Sequence, residues 1–328
     1  MLKNSRLRNS IQVVFTLFVL YIGLKFVQFV NNYTSGQSPV LSRPAGVEGF
    51  LPISALVSLR AWLYTGVFDK IHPAGLVIFL AVLLISFLFK KSFCSWLCPI
   101  GTTSEGLAKA GEFFFGRTFH IPKFLDYPLR SLKYILFFFF FSSVFLIMSG
   151  PAAVGFINTP YNMIADVKML QFFQNLSGTA LLIVGLLAVL SLLFENFWCR
   201  YLCPYGALLG LVSILSPWKI SRRRETCIKC GACTRACPNR IAVDKAQRVR
   251  SPECTGCLNC VNACPVPDTL RFTTPLAKLY LTPRKAAIAV LGAWLLIIAA
   301  AKLSGHWQTE ITPQTYQALI PHAADFTH

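Results

Sequence analysis

Acidic residues are scarce: 13 Asp and Glu in 328 residues, against 31 Lys and Arg, for a net charge of +18. Charged side chains of either sign make up only 13% of the chain, while apolar ones reach 55% and the mean hydropathy is +0.56. That composition is too apolar for one or two ordinary soluble domains and places most of the chain in a bilayer. Other absences narrow the chemistry. There is no C-x-x-C-H, and no apolar run carries a pair of the five histidines, so haem finds no ligands. Neither G-x-G-x-x-G nor G-x4-G-K-[ST] occurs, so nothing marks a nucleotide site. Methionine, a soft copper ligand, is present four times and never beside the cysteines. The positive excess would suggest nucleic acid in a soluble protein. In a membrane protein it first means basic residues kept on the cytoplasmic side, so no nucleic acid is expected as a partner.

Apolar runs of near-spanning length, about 20 residues, occur at 11–30, 73–89, 132–148, 179–194 and 286–303. They predict five transmembrane helices. With the N-terminus inside, segments 1–10, 90–133 and 199–285 hold 3, 7 and 15 Lys and Arg, together 25 of the 31. This asymmetry predicts an inner (cytoplasmic) bacterial membrane protein with the N-terminus in and the C-terminus in the periplasm. The sequence also repeats itself. FKKSFCSWLCPIG, from Phe89, recurs as FENFWCRYLCPYG, from Phe194, an offset of 105 residues. Each unit contains two spans, so the copies have the same orientation, a parallel repeat about an axis along the membrane normal. The outer segments 49–66 and 155–178 read either as lying along or dipping into the outer interface or as packed loops covering the helices.

Twelve cysteines remain to be explained. Eight form CIKCGACTRACP (Cys227, Cys230, Cys233, Cys237) and CTGCLNCVNACP (Cys254, Cys257, Cys260, Cys264), two copies of C-x2-C-x2-C-x3-C-P set 27 residues apart. This is the bacterial two-cluster ferredoxin run, in which the fourth cysteine serves the other cluster. The expected sets are Cys227, Cys230, Cys233 with Cys264, and Cys254, Cys257, Cys260 with Cys237, each for one [4Fe–4S]. A zinc pair would also use C-x2-C, yet four ligands per ion leave the doubled triplet and the Cys-Pro unexplained. The intervening IAVDKAQRVR reads as a hairpin with a charged turn.

The other four, Cys94, Cys98, Cys199 and Cys203, make two C-x3-C-P motifs. Residues at i and i+4 share a helix face, and Pro99 and Pro204 end or restart the helix just past the membrane. Three readings stay open: one further iron–sulfur cluster, a dithiol or transient metal site, or small buried groups kept reduced. Candidates for proton-coupled quinone chemistry are Arg60, Asp69, His72 and His306, with a solvated or capping role as the plainer reading of His72. Arg222, Arg223 and Arg224, just before the cassette, suit anionic headgroups as the plainer reading, with a docking patch for an acidic redox partner as the other. The tail 304–328, with His306, His322 and His328, reads as a partner-facing or disordered end.

Paired C-x3-C-P motifs after membrane helices, followed by a dicluster ferredoxin, resemble the NapH/NosR/CcoG class of membrane polyferredoxins over about residues 70–270. The resemblance implies an electron-transfer subunit of a quinol dehydrogenase type, linking the quinone pool to other subunits of a respiratory redox complex. In the CcoG branch it implies instead a metal-reducing assembly factor. The NapH type fits best, because the chain shows neither a large flavin-binding domain before the helices nor a C-terminal β-domain. The expected fold is mainly α: a five-helix membrane domain plus a small α+β ferredoxin-like domain. Its parts are residues 1–220 with four spans, 221–275 as the two-cluster domain, and 276–328 with the fifth span and a short tail.

Overall fold

The computed structural model describes residues 2–35, 42–117, 119–275 and 279–326. In chain order the helices are α1 (Leu2–Thr34), α2 (Pro52–Thr65), α3 (Pro73–Phe89), α4 (Ser92–Trp96), α5 (Pro99–Phe115), α6 (Lys123–Ser142), α7 (Gly150–Ile157), α8 (Pro160–Met163), α9 (Ala165–Gln174), α10 (Gly178–Leu193) and α11 (Pro204–Ile214). Then come α12 (Ala232–Arg235), α13 (Asn259–Asn262), α14 (Pro283–Leu303) and α15 (Pro313–Leu319). Strands β1 (Lys219–Arg222), β2 (Leu270–Thr273) and β3 (Tyr280–Leu281) form one antiparallel sheet in that order.

Among the described residues, three helices are long and apolar enough to cross a membrane: Arg6–Thr34, Phe124–Ile147 and Pro283–Leu303. Helices α9 and α10 pass the same test only as a pair bent by 84°. Helix α3 is apolar throughout but stops at 17 residues. The third apolar run is part of a longer helix than its hydropathy indicates, because α6 starts in the polar stretch before it and its last turn widens over Ser143–Ile147. There the Met148 amide reaches back five residues to the Ser143 carbonyl at 3.0 Å. The outer segments fold into α2 and into α7 to α9.

The chain divides into two compact units. One comprises Met1–Thr16, Val82–Phe137 and Ile183–Trp294 and holds all twelve cysteines. Its helices touch closely: a side chain on Gly111 of α5 would place a Cβ 1.8 Å from the Leu192 carbonyl oxygen of α10. Buried charges fasten it. Arg200 donates to both Asp126 oxygens at 2.9 Å while the Tyr201 hydroxyl donates at 2.6 Å. Lys133, fully buried, gives 2.7 Å contacts to both oxygens of Glu253.

The other unit comprises Leu17–Ala81, Phe138–Leu182 and Leu295–His328. Phe26, Phe29, Val30 and Tyr33 of α1 pack with Val47, Ile164, Val167, Tyr316, Ile320 and Ala323. The tail is therefore ordered as far as Phe326, contrary to a loose end, because Tyr316 and Ile320 bury their side chains in this core. His322 stays exposed beside Asp325, and His328 lies outside the described residues. Beside the core, Arg43 donates through Nε to Asp166 (2.7 Å) and through Nη1 to Glu48 (2.5 Å). Its Nη2 lies 3.2 Å from His72 Nδ1, so that nitrogen accepts and Nε2 donates to the Asn162 carbonyl at 2.6 Å. His72 is thus buried at 1% exposure and fully bonded, which overturns the solvated reading, while its carbonyl accepts from the Leu76 amide at 3.3 Å at the start of α3. Burial opposes ionisation of Glu48, but the Arg43 guanidinium outweighs it and lowers the carboxyl pKa.

Removing one partner of such a network leaves uncompensated charge in the interior, at a cost of about 3–5 kcal/mol. Arg43→Met is therefore expected to lower the thermal unfolding midpoint of the purified protein sharply, with Arg43→Lys in between. An unchanged midpoint for Arg43→Met would show that the quartet carries no such constraint.

Candidate metal centres

The ferredoxin-like cassette starts from its turns. Each motif places two residues in the left-handed region at equivalent positions, Lys229 and Gly231 in the first and Gly256 and Leu258 in the second (φ 56°, 69°, 62° and 62°). Gly231 and Leu258 cap the one-turn helices α12 and α13, which carry Cys233 and Cys260. These turns fold each triplet around a hollow. Cys227, Cys230 and Cys233 line one space of about 350 Å³ together with Cys264 from the other motif. Cys254, Cys257 and Cys260 line a second, of about 360 Å³, together with Cys237. The fourth cysteine of each motif thus lines the hollow formed by the other motif's triplet. The linker between the motifs is a loop and forms no hairpin: Val249 pairs its amide with the Ile220 carbonyl, and Arg248 bridges Ser221 of β1.

The donor chemistry fits a cluster. Burial, then the neighbouring Cys257, pushes the Cys237 thiol up to about 12. Cys260 is likewise raised by burial and by Cys257, Cys254 and Cys237. Four thiolates this close repel one another unless positive charge lies among them, which iron supplies. Among the described residues no three His, Cys, Asp or Glu side chains close on a single metal ion.

The C-x3-C-P motifs end on similar backbone after different approaches. A left-handed residue precedes each, Lys90 (φ 64°) four residues before Cys94 and Asn196 (φ 57°) three before Cys199. The Cys98 amide bonds the Phe93 carbonyl at 2.9 Å, and the Cys203 amide bonds the Trp198 carbonyl at 3.0 Å, each five residues back. Cys98 and Cys203 then cap α5 and α11, with φ/ψ of −69°/119° and −72°/106° and a proline at the first helical position. The two cysteines of a motif therefore do not share one helix: the first closes one helical segment and the second opens the next. This aims amides at sulfur, as the Gly206 N–H donates to Cys203 Sγ at 3.2 Å. Burial pushes the Cys98 thiol up to about 11 although the Gly101 and Ile100 amides pull it down. Cys94 is pushed up to about 12 by burial and then by Cys98, with Cys203 adding to it. Cys199 responds to burial and then to Cys203, Cys98 and Cys94, so the four thiols form one group. Tyr205, half-buried, has its hydroxyl pKa raised by burial and then by Cys94, Cys98 and Cys203.

This group adjoins the second hollow. Trp96 Nε1 donates to the Gly256 carbonyl (3.2 Å) and Ser95 Oγ to the Thr255 carbonyl (2.8 Å). Lys90 Nζ reaches the carbonyls of Ser213 and Ser251, each at 3.2 Å. Spacing within the sequence gave no sign of these contacts or of the Glu253 clamp; the one local hint was that Glu253 directly precedes Cys254. The residues named for quinone chemistry lie elsewhere: Arg60, Asp69, His72 and His306 all belong to the unit without cysteines. Arg60 donates to the Met148 carbonyl at 3.2 Å, and Asp69 accepts from Ser58 and from the Ile71 amide. Asp69 and His306 share the wall of a polar cavity of about 530 Å³ with Lys70 and Glu310. Arg222 lines the first cysteine hollow and donates to the Ala246 carbonyl, so it is engaged within the cassette.

A family model described as a 4Fe-4S binding domain matches residues 71–122 and again 176–223, and one described as a 4Fe-4S dicluster domain matches 219–265. YccM of Escherichia coli (strain K12), whose name proposes electron transport, is 42% identical over 98% of this chain and 91% of its own length. The chain belongs to the membrane-associated 4Fe–4S ferredoxin-type proteins. Protein NirI of Paracoccus denitrificans (strain Pd 1222) is 30% identical over 66% of this chain, which spans 31% of NirI. The ferredoxin-type protein NapH of E. coli is 28% identical over 56% of this chain and 62% of its own. No solved structure matches. This ferredoxin-type protein is a membrane iron–sulfur electron-transfer protein.

Gly256 is where the ferredoxin-type cassette meets α4 most tightly. A Cβ there would sit 2.6 Å from Ser92 Oγ, on a backbone of φ 62° that side chains rarely adopt. Gly256→Val is expected to free this loop and lower bound iron by up to four atoms per chain, read by iron analysis and EPR. Full iron with wild-type spectra would mean the loop docks without this fit.

Proposed function

We propose that the protein is an electron conduit between the quinone pool and a redox partner on the cytoplasmic side of the membrane, in a respiratory chain. The observation that carries this reading is the gathering of all twelve cysteines into three sets within one compact unit. Cys227, Cys230, Cys233 and Cys264 would hold one [4Fe–4S], Cys254, Cys257, Cys260 and Cys237 a second, and Cys94, Cys98, Cys199 and Cys203 a third iron–sulfur group. When bound, such clusters supply reversible one-electron chemistry with little change in geometry.

The side chains do the rest. Trp96 and Ser95 hold the Cys254 loop against the segment bearing Cys94, which keeps the gap between those two sets short. Leu258 (1% exposed) and Ile220 (2%) close the second hollow to water. The amides behind Pro99 and Pro204 present positive dipole to Cys98 and Cys203 and favour their thiolate forms.

The membrane reading takes α1, α3, α6, α10 and α14 as five spans. It is supported by the division of the chain, whose boundaries fall inside each of these five helices. The parallel repeat is supported by the two matches to one family model, which start 105 residues apart at 71 and 176, the same offset as the motifs. The excess of Lys and Arg favours a cytoplasmic cysteine side. A quinone exchanging electrons here must approach the cysteine-bearing unit, since Arg60, Asp69, His72 and His306 belong to the other.

Iron per chain tests the third group. More than eight atoms in the wild type is expected, falling towards eight in Cys94→Ser or Cys199→Ser; a wild-type count of eight would remove it. Reduction of at least one cluster by a menaquinol analogue, followed by redox-titrated EPR, is the expected sign of the quinone link. Clusters that stay oxidised with quinol alone, together with no quinol-dependent reduction of a soluble acceptor by the protein, would exclude it.

A further inference from the structure

The two ferredoxin-like hollows differ in what surrounds them. The one holding Cys254 and Cys260 is lined, apart from its cysteines, by side chains that carry no charge, and both of those cysteines are buried. The one holding Cys227 and Cys264 opens outward. Cys230 is exposed, Ile228 is 64% exposed, and Pro265 beside them is exposed as well. Three cations stand at its mouth. Arg222 and Lys229 line it, and Arg235 Nη1 lies 3.1 Å from where a Cβ on Gly231 would be. The one carboxylate in the lining, Asp244, is turned onto Thr234, whose hydroxyl donates to it at 2.5 Å.

We propose that this mouth is the docking surface for a small acidic redox protein. The proposal rests on the reading above, in that Cys227, Cys230, Cys233 and Cys264 hold the cluster from which the electron leaves or to which it comes. An apolar centre (Ile228, Pro265) inside a charged rim is the anatomy of a protein interface, and its cationic rim selects a partner of net negative charge. A lipid headgroup would use the cations but leave Ile228 and the Cys230 edge without a function. Tunnelling falls steeply with distance, so the set with a cysteine at the surface is the one a soluble partner can reach; the other set faces α4. Across this surface one electron is exchanged, the donor losing what the acceptor gains, with no atom transferred. A small, transient contact suffices, as in other redox encounters.

The test uses the full chain in nanodiscs of neutral phosphatidylcholine. Purified flavodoxin serves as an acidic one-electron probe and a basic cytochrome c as its opposite, with binding followed by biolayer interferometry at stepped NaCl. Flavodoxin is expected to bind and to lose affinity by about tenfold or more as salt rises, because exposed charges are screened. Lys229→Glu with Arg235→Glu should weaken it by about tenfold or more, and Lys229→Gln with Arg235→Gln by less. Arg250→Glu, a like charge change outside the hollow, should leave it unaltered. The surface is overturned if wild type does not bind flavodoxin at low salt, if cytochrome c binds equally, or if the double reversal has no effect. It is also overturned if the reversal abolishes capture by phosphatidylglycerol vesicles while flavodoxin binding persists, which would make the rim a lipid contact. Iron and EPR on the same samples keep the two readings apart. Reducible clusters with insensitive binding sink the surface alone, and salt-sensitive binding without clusters sinks the conduit alone.

Discussion

The contact on which the cysteine geometry depends is the one between Glu253 and Lys133. The carboxylate directly precedes Cys254, and both of its oxygens lie 2.7 Å from a lysine ammonium that is fully buried. Tyr134 adds a 3.2 Å hydrogen bond, and Lys91 stands 3.8 Å away. Burial opposes ionisation of Glu253, but Lys91 and Lys133 outweigh it and lower the carboxyl pKa to about 2. The pair is therefore charged at neutral pH. A buried ion pair adds little net stability over a well-packed apolar pair, yet it tolerates only one alignment of its partners. Here that alignment sets the Cys254 loop on the membrane helix α6 and, through Trp96 and Ser95, on the segment bearing Cys94.

Two kinds of local geometry present the sulfurs. In the cassette, paired left-handed residues curl each triplet around a hollow, so a short loop supplies three thiols and a distant residue the fourth. In the C-x3-C-P motifs a widened turn and a proline place one thiol before a helix start and one on it. The first arrangement takes three thiols from seven residues plus one crossing cysteine. The second supplies only two thiols per motif, so a set of four needs both copies. The proposed third group would account for why the motif occurs twice, 105 residues apart.

Much of the site could be read from spacing, because thiol sets in a loop are a local property. Cysteine separations of two, two and three residues indicated which sulfurs gather, and Pro99 and Pro204 indicated where helices restart. Hydropathy gave the bounds of α3 to the residue, since Pro73 opens it and Lys90, in the left-handed region, ends it. The charged partners were not legible. Lys133 and Glu253 are 120 positions apart, and Arg43 meets Asp166 across 123. No local pattern records such pairings. His72 before Pro73 looked like a solvated helix start for the same reason, and Arg222 looked like one of three headgroup contacts until β1 carried it to the mouth of a hollow. Span length was legible only in part: apolar content counts five runs, whereas among the described residues three helices are long and apolar enough to cross alone, α10 passes only together with α9 across an 84° bend, and α3 stops at 17 residues.

The aromatic cluster of Phe29, Tyr33 and Tyr316 has a consequence for how the chain is made. Phe29 and Tyr316 meet edge to face with ring centroids 5.3 Å apart, and Ile320 and Ala323 fill the space beside them. Those partners are synthesised last and α1 first. This core therefore cannot close on the nascent chain: α1 must wait, its aromatic face unmatched, until nearly all of the protein has left the ribosome. The cysteine motifs lie between these two points in the order of translation, so iron can reach open loops before the far core locks.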